Sequence, residues 1–245
     1  MIRPERAAAR SGTARRWFGS LSRRRSRHWH EGLNGASLVV VAYRKTPAVQ
    51  DRLAAAREQL VAAATAVVAE VGWASASVTA VAAAAGMSVG TVYQHFPSKG
   101  ALAVEVFRRA SGREVEVLGE VLRDGSGDPV RRLTQGVTVF ARRAMENRGL
   151  AHALLAAPAE PAVGAERLEF RRRYRAVFAE VVREGIAAGL LPAQDPEVTA
   201  AALTGAIGEV LVDPLSVPAG GTAAEHLVSE LVAMSLRCAG AAPAV

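Results

Sequence analysis

From Asp51 onward, apolar residues return every three or four positions, the spacing of a helix face. Leu53, Leu60, Val61, Ala64, Val67, Val68 and Val71 predict a first helix from about Asp51 to Val71, with Gly72 as its stop. The pattern then shortens. Ser77 to Leu102, SVTAVAAAAGMSVGTVYQHFPSKGAL, reads as two brief helices joined by a tight turn and followed by a longer one. Ser77 can N-cap the first, whose buried face is Val78, Val81, Ala82 and Ala85. Gly86 stands where that helix must stop and turn, and Met87 can bury in the turn. Ser88 can cap Val89 to about His95, Pro97 breaks that helix, and Ser98 can cap the next. Helix, glycine turn, helix is the pattern of a helix-turn-helix, whose second helix enters the DNA major groove.

The same reading carries to the end of the chain. A fourth helix runs from after Ser98 to about Arg123, with Ala101, Leu102, Val106, Phe107 and Ala110 inward, and Asp124–Gly127 marks a break between domains. Asp128-Pro129 opens a helix to about Asn147. Leu150 to Ala157 forms a short one closed by Pro158 and Pro161. A long helix follows from Val163 to Ala188, lined by Tyr174, Val177, Phe178, Val181, Val182 and Ile186. Asp195-Pro196 opens another to about Val212, stopped by Asp213-Pro214, and a last one spans about Thr222 to Cys238. No segment sustains period-two alternation, so the expected class is all-α with about nine helices. The division expected is 1–50 as an extension, 51–98 as the helix-turn-helix domain, 99–127 as a connecting helix and 128–240 as a second helical domain. Trp73, just past the first helix, is expected to be a packing plug.

Composition fits this. Half of the 245 residues are apolar and only 5% aromatic, which suits helices packed closely through small side chains. Charge redraws the N-terminus. Residues 1–50 hold eleven Arg and Lys against Glu5 and Glu31, so the net +7 of the whole is +9 there and −2 in the remainder. Two readings of that stretch stay open: a disordered basic arm that binds phosphates without sequence preference, or a mis-annotated start with translation beginning near Val49. Arg15-Arg16-Trp17-Phe18 resembles a twin-arginine export signal but lacks the apolar run one needs, so a cytoplasmic location is expected. No run reaches the roughly 18 apolar residues of a membrane span, and no membrane is expected. The single cysteine, Cys238, rules out an intramolecular disulfide and a Cys-cluster zinc site. No nucleotide loop, metal-ligand cluster or nucleophile with a base stands out, so neither enzymatic activity, cofactor nor metal is expected.

The candidate chemistry is that of DNA binding. Gly90 lets backbone approach a duplex, Thr91 and Gln94 can bond base edges, and Val89 or the Thr91 methyl can meet a thymine methyl. Ser77, Ser88, Tyr93, His95 and Lys99 suit phosphate oxygens, while Val92 and Phe96 read as core. No arginine lies between Val89 and His95, so each base contact should discriminate modestly, with DNA shape contributing.

Ser77-Val78, Val81-Ala82, Ala85-Gly86-Met87-Ser88, Gly90-Thr91-Val92-Tyr93, His95-Phe96-Pro97-Ser98-Lys99 and Leu102 resemble the N-terminal domain of TetR/AcrR-type transcriptional regulators. The likeness continues upstream through Leu60, Ala63-Ala64, Val67-Val68, Glu70 and Gly72, although many members carry an aromatic residue where Val68 stands. It implies that Tyr93, His95 and Lys99 are phosphate contacts. It also implies a ligand-responsive regulator, most often a repressor, in which a population shift is transmitted through the helix beginning at Lys99. An effector cavity would be walled by Phe140, Met145, Leu150, His152, Leu154, Leu155, Tyr174, Phe178 and Ile207. His152 and Tyr174 would be its polar anchors, and its ligand small and hydrophobic. The run Arg171-Arg172-Arg173-Arg175 is expected to stay solvated.

One short helix-turn-helix makes few contacts, so a homodimer reading a pseudo-palindrome on double-stranded DNA is expected. Ala202, Ala206 and Val210 recur at every fourth position beside Gly205 and Gly208, and Leu227, Leu231 and Met234 form a stripe on the last helix. These are the dimer candidates, with purely intramolecular packing as the alternative. Activation in place of repression, or sequence-independent binding through the basic tail, are the other functions weighed.

Overall fold

The structure, a computed structural model, describes residues 46–156, 160–216 and 221–241. Of the basic stretch at 1–50, residues 1–45 lie outside the described residues, and with them the two readings of it, while Pro47 to Gln50 are helical and do not belong to a disordered arm. The described residues form nine helices and no strand. They are α1 (Pro47–Ser75), α2 (Val78–Ala84), α3 (Val89–His95), α4 (Lys99–Arg123), α5 (Pro129–Glu146), α6 (Arg148–Leu155), α7 (Val163–Ala187), α8 (Pro196–Ser216) and α9 (Gly221–Ala239).

The first three helices close around one apolar centre. Leu60, Val61, Ala64 and Val68 of α1 meet Val81 and Ala82 of α2, Val92 of α3 and the adjoining Phe96, all buried. Leu102 and Val106 extend that centre into α4, which then runs on as a wall of the second core. There α4 packs on α5 and α7, α7 on α8, and α5 on α9. Leu118, Leu133, Val137, Phe178, Val182, Leu203 and Leu211 are among its buried residues. α4 thus belongs to both halves, and α6 forms a second bridge by packing along α1.

Several boundaries differ from expectation for identifiable reasons. α1 starts at Pro47, four positions before Asp51, because proline is suited to a first turn whose N–H groups are unpaired anyway. It also continues past Val71, with a break at Gly72 (φ 71°, ψ 173°) that turns Trp73 inward. Trp73 is 3% exposed, and its Nε1–H donates to the Ala153 carbonyl at 2.8 Å, so the plug is also a hydrogen bond to α6. α6 opens at Arg148 rather than Leu150. Its Gly149 lies so close to α1 that a Cβ there would run into the Ala69 carbonyl oxygen.

α8 corrects two expectations. It passes through Pro214 to Ser216, since a proline in the final turn forfeits a single backbone bond, and the Arg148 guanidinium donates to the Pro214 carbonyl. It is also long and apolar enough, at a mean hydropathy of 1.4, to satisfy the length and composition of a membrane span. Isolated Thr, Gly and Glu residues interrupt its apolar run without lowering that mean below the level of a span. Thr199, Ala200, Leu203, Ile207, Leu211 and Leu215 are buried inside the protein, however, while Val198, Ala202 and Val210 face outward. α8 is apolar on both sides, and among the described residues only one side is covered.

Candidate nucleic-acid interface and effector cavity

Serine caps set the helix-turn-helix. Ser77 Oγ accepts from the Ala80 amide at 3.0 Å, Ser88 Oγ from Thr91 at 3.0 Å and Ser98 Oγ from Ala101 at 3.1 Å. Gly86 takes φ 64°, a conformation that costs other residues strain, and the Met87 amide closes the turn on Ala82 O at 2.9 Å. Two α1 side chains clamp the motif, and neither stood out in the sequence. Gln59 Nε2 donates to Ala85 O at 2.9 Å, at the end of α2. Arg57 Nη1 donates to His95 O at 3.3 Å, its guanidinium lies 4.3 Å from the centre of the Phe96 ring, and Nη2 pairs with Glu105 at 3.0 Å. They are polar residues on an Ala-rich helix, and nothing local says what they reach.

The clamps leave one side of α3 open. Val92 and Phe96 are buried, as expected of them, while Ser88, Val89 (38%), Gly90, Tyr93 (51%) and Gln94 are exposed, as is Ser77. Thr91 and His95 are half-buried, and the Thr91 hydroxyl shares a 2.9 Å hydrogen bond with Ser88. A Cβ on Gly90 would meet only Ser88 Oγ at 3.6 Å, so nothing inside the protein requires glycine there. Lys99 differs from a free cation. Its Nζ pairs with Glu160 at 2.9 Å and donates to Trp73 O at 3.3 Å, so a phosphate would have to replace an existing ion pair.

Beyond α4 a cavity of about 140 Å³ opens between α4, α5, α6, α7 and α8. Phe140, Leu150, Leu154, Leu155, Tyr174, Phe178 and Ile207 line it. His152 and Met145 do not, which corrects both assignments. The cavity face of α6 is Leu150, Ala151, Leu154 and Leu155, which turns His152 away, and on α5 the wall is Phe140, Arg143 and Ala144, with Asn147 just beyond its end. Tyr174 packs edge-on against Phe140 (centroids 5.7 Å apart, interplanar 76°), and burial pushes its phenol pKa upward. It therefore stays neutral and able to donate.

Charged groups on the wall escaped the sequence reading. Glu114 and Arg143 form a bidentate pair at 2.6 and 2.8 Å. Arg167, Arg171 and Glu209 also line the cavity. Burial first, and the charge of Arg171 second, lower the Arg167 pKa. Of the arginine run, Arg171 and Arg172 are exposed as expected, while Arg173 and Arg175 are half-buried. Arg171 is exposed at the cavity, Arg172 pairs with Glu169 at 3.1 Å, and Arg173 lies 4.7 Å from the Phe170 ring centre.

Of the dimer candidates, Ala202 and Val210 are exposed and Ala206 is half-buried. Leu231 is 1% exposed and belongs to the chain's own core, a correction that follows from α9 packing against α5 and α8. Leu227 and Met234 are half-buried against the same core. Among the described residues no three His, Cys, Asp or Glu side chains gather as a metal site. Cys238 is half-buried, and burial pushes its thiol pKa up.

The family model described as "Bacterial regulatory proteins, tetR family" matches residues 60–106, and "Tetracyclin repressor-like, C-terminal domain" matches residues 126–211. A transcriptional regulator from Rhodococcus sp. Rha1 is 27% identical, over 76% of this chain and 99% of that one, with a TM-score of 0.58. The transcriptional regulator FadR from Bacillus subtilis, in complex with stearoyl-CoA, is 19% identical over 75% and 97%, with a TM-score of 0.61. The fatty acid degradation regulator FadR from Bacillus halodurans is 21% identical over 76% and 99%, with a TM-score of 0.60. No curated protein matches the chain.

Proposed function

We propose, for a chain that belongs to the TetR family of bacterial regulatory proteins and so is a DNA-binding transcriptional regulator, that it is a ligand-responsive repressor working in the cytoplasm. It binds a pseudo-palindromic operator as a homodimer and leaves it when a small hydrophobic effector fills the cavity. One observation carries the ligand-responsive part: α6, a wall of the cavity, is hydrogen-bonded through Ala153 O to Trp73, at the end of the helix that clamps the DNA-reading motif. A ligand that displaces α6 must either stretch that buried bond or move Trp73, so two arrangements with different affinities for DNA are physically linked.

On DNA, Val89, Gly90, Thr91 and Gln94 meet base edges, and Ser77, Ser88, Tyr93, His95 and Lys99 meet phosphates. Exposure of Val89, Gly90, Tyr93 and Gln94 supports that division. The uncovered face of α8 at Ala202, Ala206 and Val210 supports the dimer. The test is selection of binding sites from random DNA, followed by titration of variants. A half-site repeated about one helical turn apart, or at a wider regular spacing, is expected. Gln94→Ala should relax preference at one base pair, whereas Lys99→Ala should weaken binding to every sequence and lower the salt slope by about one. Recovery of no consensus would leave only sequence-independent binding.

A further inference from the structure

The cavity wall is not electrically neutral in its arrangement. Glu114 pairs with Arg143 at 2.6 and 2.8 Å, and Arg167 and Arg171, one turn apart on α7, line the same space. Glu209 is the other carboxylate on the wall, exposed on α8. Like charges four residues apart on a helix repel, and partial burial of Arg167 removes water that would otherwise screen them. An anion at this point relieves both costs. Around it the wall is apolar, with Phe107, Phe140, Phe178 and Ile207 providing surface for a hydrocarbon or ring body.

Arg167 also touches the link to the DNA-binding half. Its Nη2 donates to Ala153 O at 3.5 Å, the carbonyl that accepts the Trp73 indole at 2.8 Å. A charged acceptor outcompetes a long bond to a neutral carbonyl. Drawing the guanidinium toward a ligand would therefore alter the contact on which Trp73 rests.

Resting on the reading of this cavity as the effector site, we propose that its ligand is an amphipathic anion, with an apolar body among the aromatic side chains and an anionic head group held by Arg167 and Arg171. The sequence reading gave only a hydrophobic effector; the head group is what the tertiary structure adds.

Three probes with one tail and different heads test this on the full chain: decanoate, decanol and decyltrimethylammonium, by titration calorimetry. Decanoate should bind at least about tenfold more tightly than either of the others, the difference one charge-assisted contact makes. Arg167→Gln should remove that preference, bringing decanoate affinity to within about threefold of decanol in the same variant. Arg171→Gln, at an exposed position, repeats the test where folding is not at issue. Equal binding of all three, tighter binding of the cation, binding of none, or an unaltered preference in both variants overturns the proposal. Operator release is read in parallel. A neutral or cationic probe that releases DNA sinks the anionic head group but keeps the effector role. Tight decanoate binding without release sinks the effector role and keeps the head group.

Discussion

Gly149 shows how much one residue can decide. A side chain there would overlap the Ala69 carbonyl, so α6 and α1 lie as close as glycine permits. Gly149→Ala should force the two helices apart, with a loss of about 1–3 kcal/mol, the usual range for overpacking. Urea denaturation would measure it, and an unchanged midpoint would mean that α6 moves off α1 freely. Trp73→Phe is subtler, keeping most of the apolar volume and removing the N–H that reaches Ala153. It should cost about 1 kcal/mol. If α6 speaks to the DNA-reading motif through that bond, effector-induced release in a DNA-binding assay should be blunted as well. Neither role was legible in the sequence. Trp73 read as a plug from its position after a glycine, but its partner is 80 residues away.

Helices were legible where their ends carry local chemistry. Asp128, Ser77, Ser88 and Ser98 all cap as their residue types require, because an N-cap is settled within four residues. Pro214 misled because proline marks a stop only when the residues beyond it lose too, and in a last turn they do not. The relation of α4 to the segment before α7 was hidden altogether. Glu160 holds Lys99, and a Cβ at Gly100 would sit 3.6 Å from Ala162, so this segment rests on the first turn of α4. Glu160→Gln should remove the ion pair that a phosphate must displace from Lys99, raising operator affinity while the log–log salt slope stays near that of the unaltered protein, since the same phosphate is neutralised in both. A fall in affinity on titration would instead mark the ion pair as a brace that positions α4.

At the scale of the molecule, α8 is the outlier. A helix apolar on both faces needs a cover for the second in water, and among the described residues nothing covers Val198, Ala202 and Val210. Light scattering should therefore give twice the mass of one chain. Val210→Glu, at a position 39% exposed, should give a monomer with the helical content intact and operator affinity largely lost. A dimer that survives the substitution places the interface elsewhere. The stripe on α9 offers less, since Leu231 is buried inside the protein and Leu227 and Met234 are half-buried against the same core.

What the sequence determined alone is what local rules govern: the helix count, the caps, the glycine turn at Gly86 and the outward residues of α3. Each depends on neighbours within one or two turns, where propensity and periodicity act. The tertiary structure decided what depends on residues far apart. It assigned Lys99 to Glu160, Arg57 and Gln59 to the clamping of α2 and α3, Leu231 to the core, and Arg167 to a cavity wall and a carbonyl shared with Trp73. Long polar side chains fit a solvated surface or a distant partner equally well by sequence, and only packing brings the partner within reach.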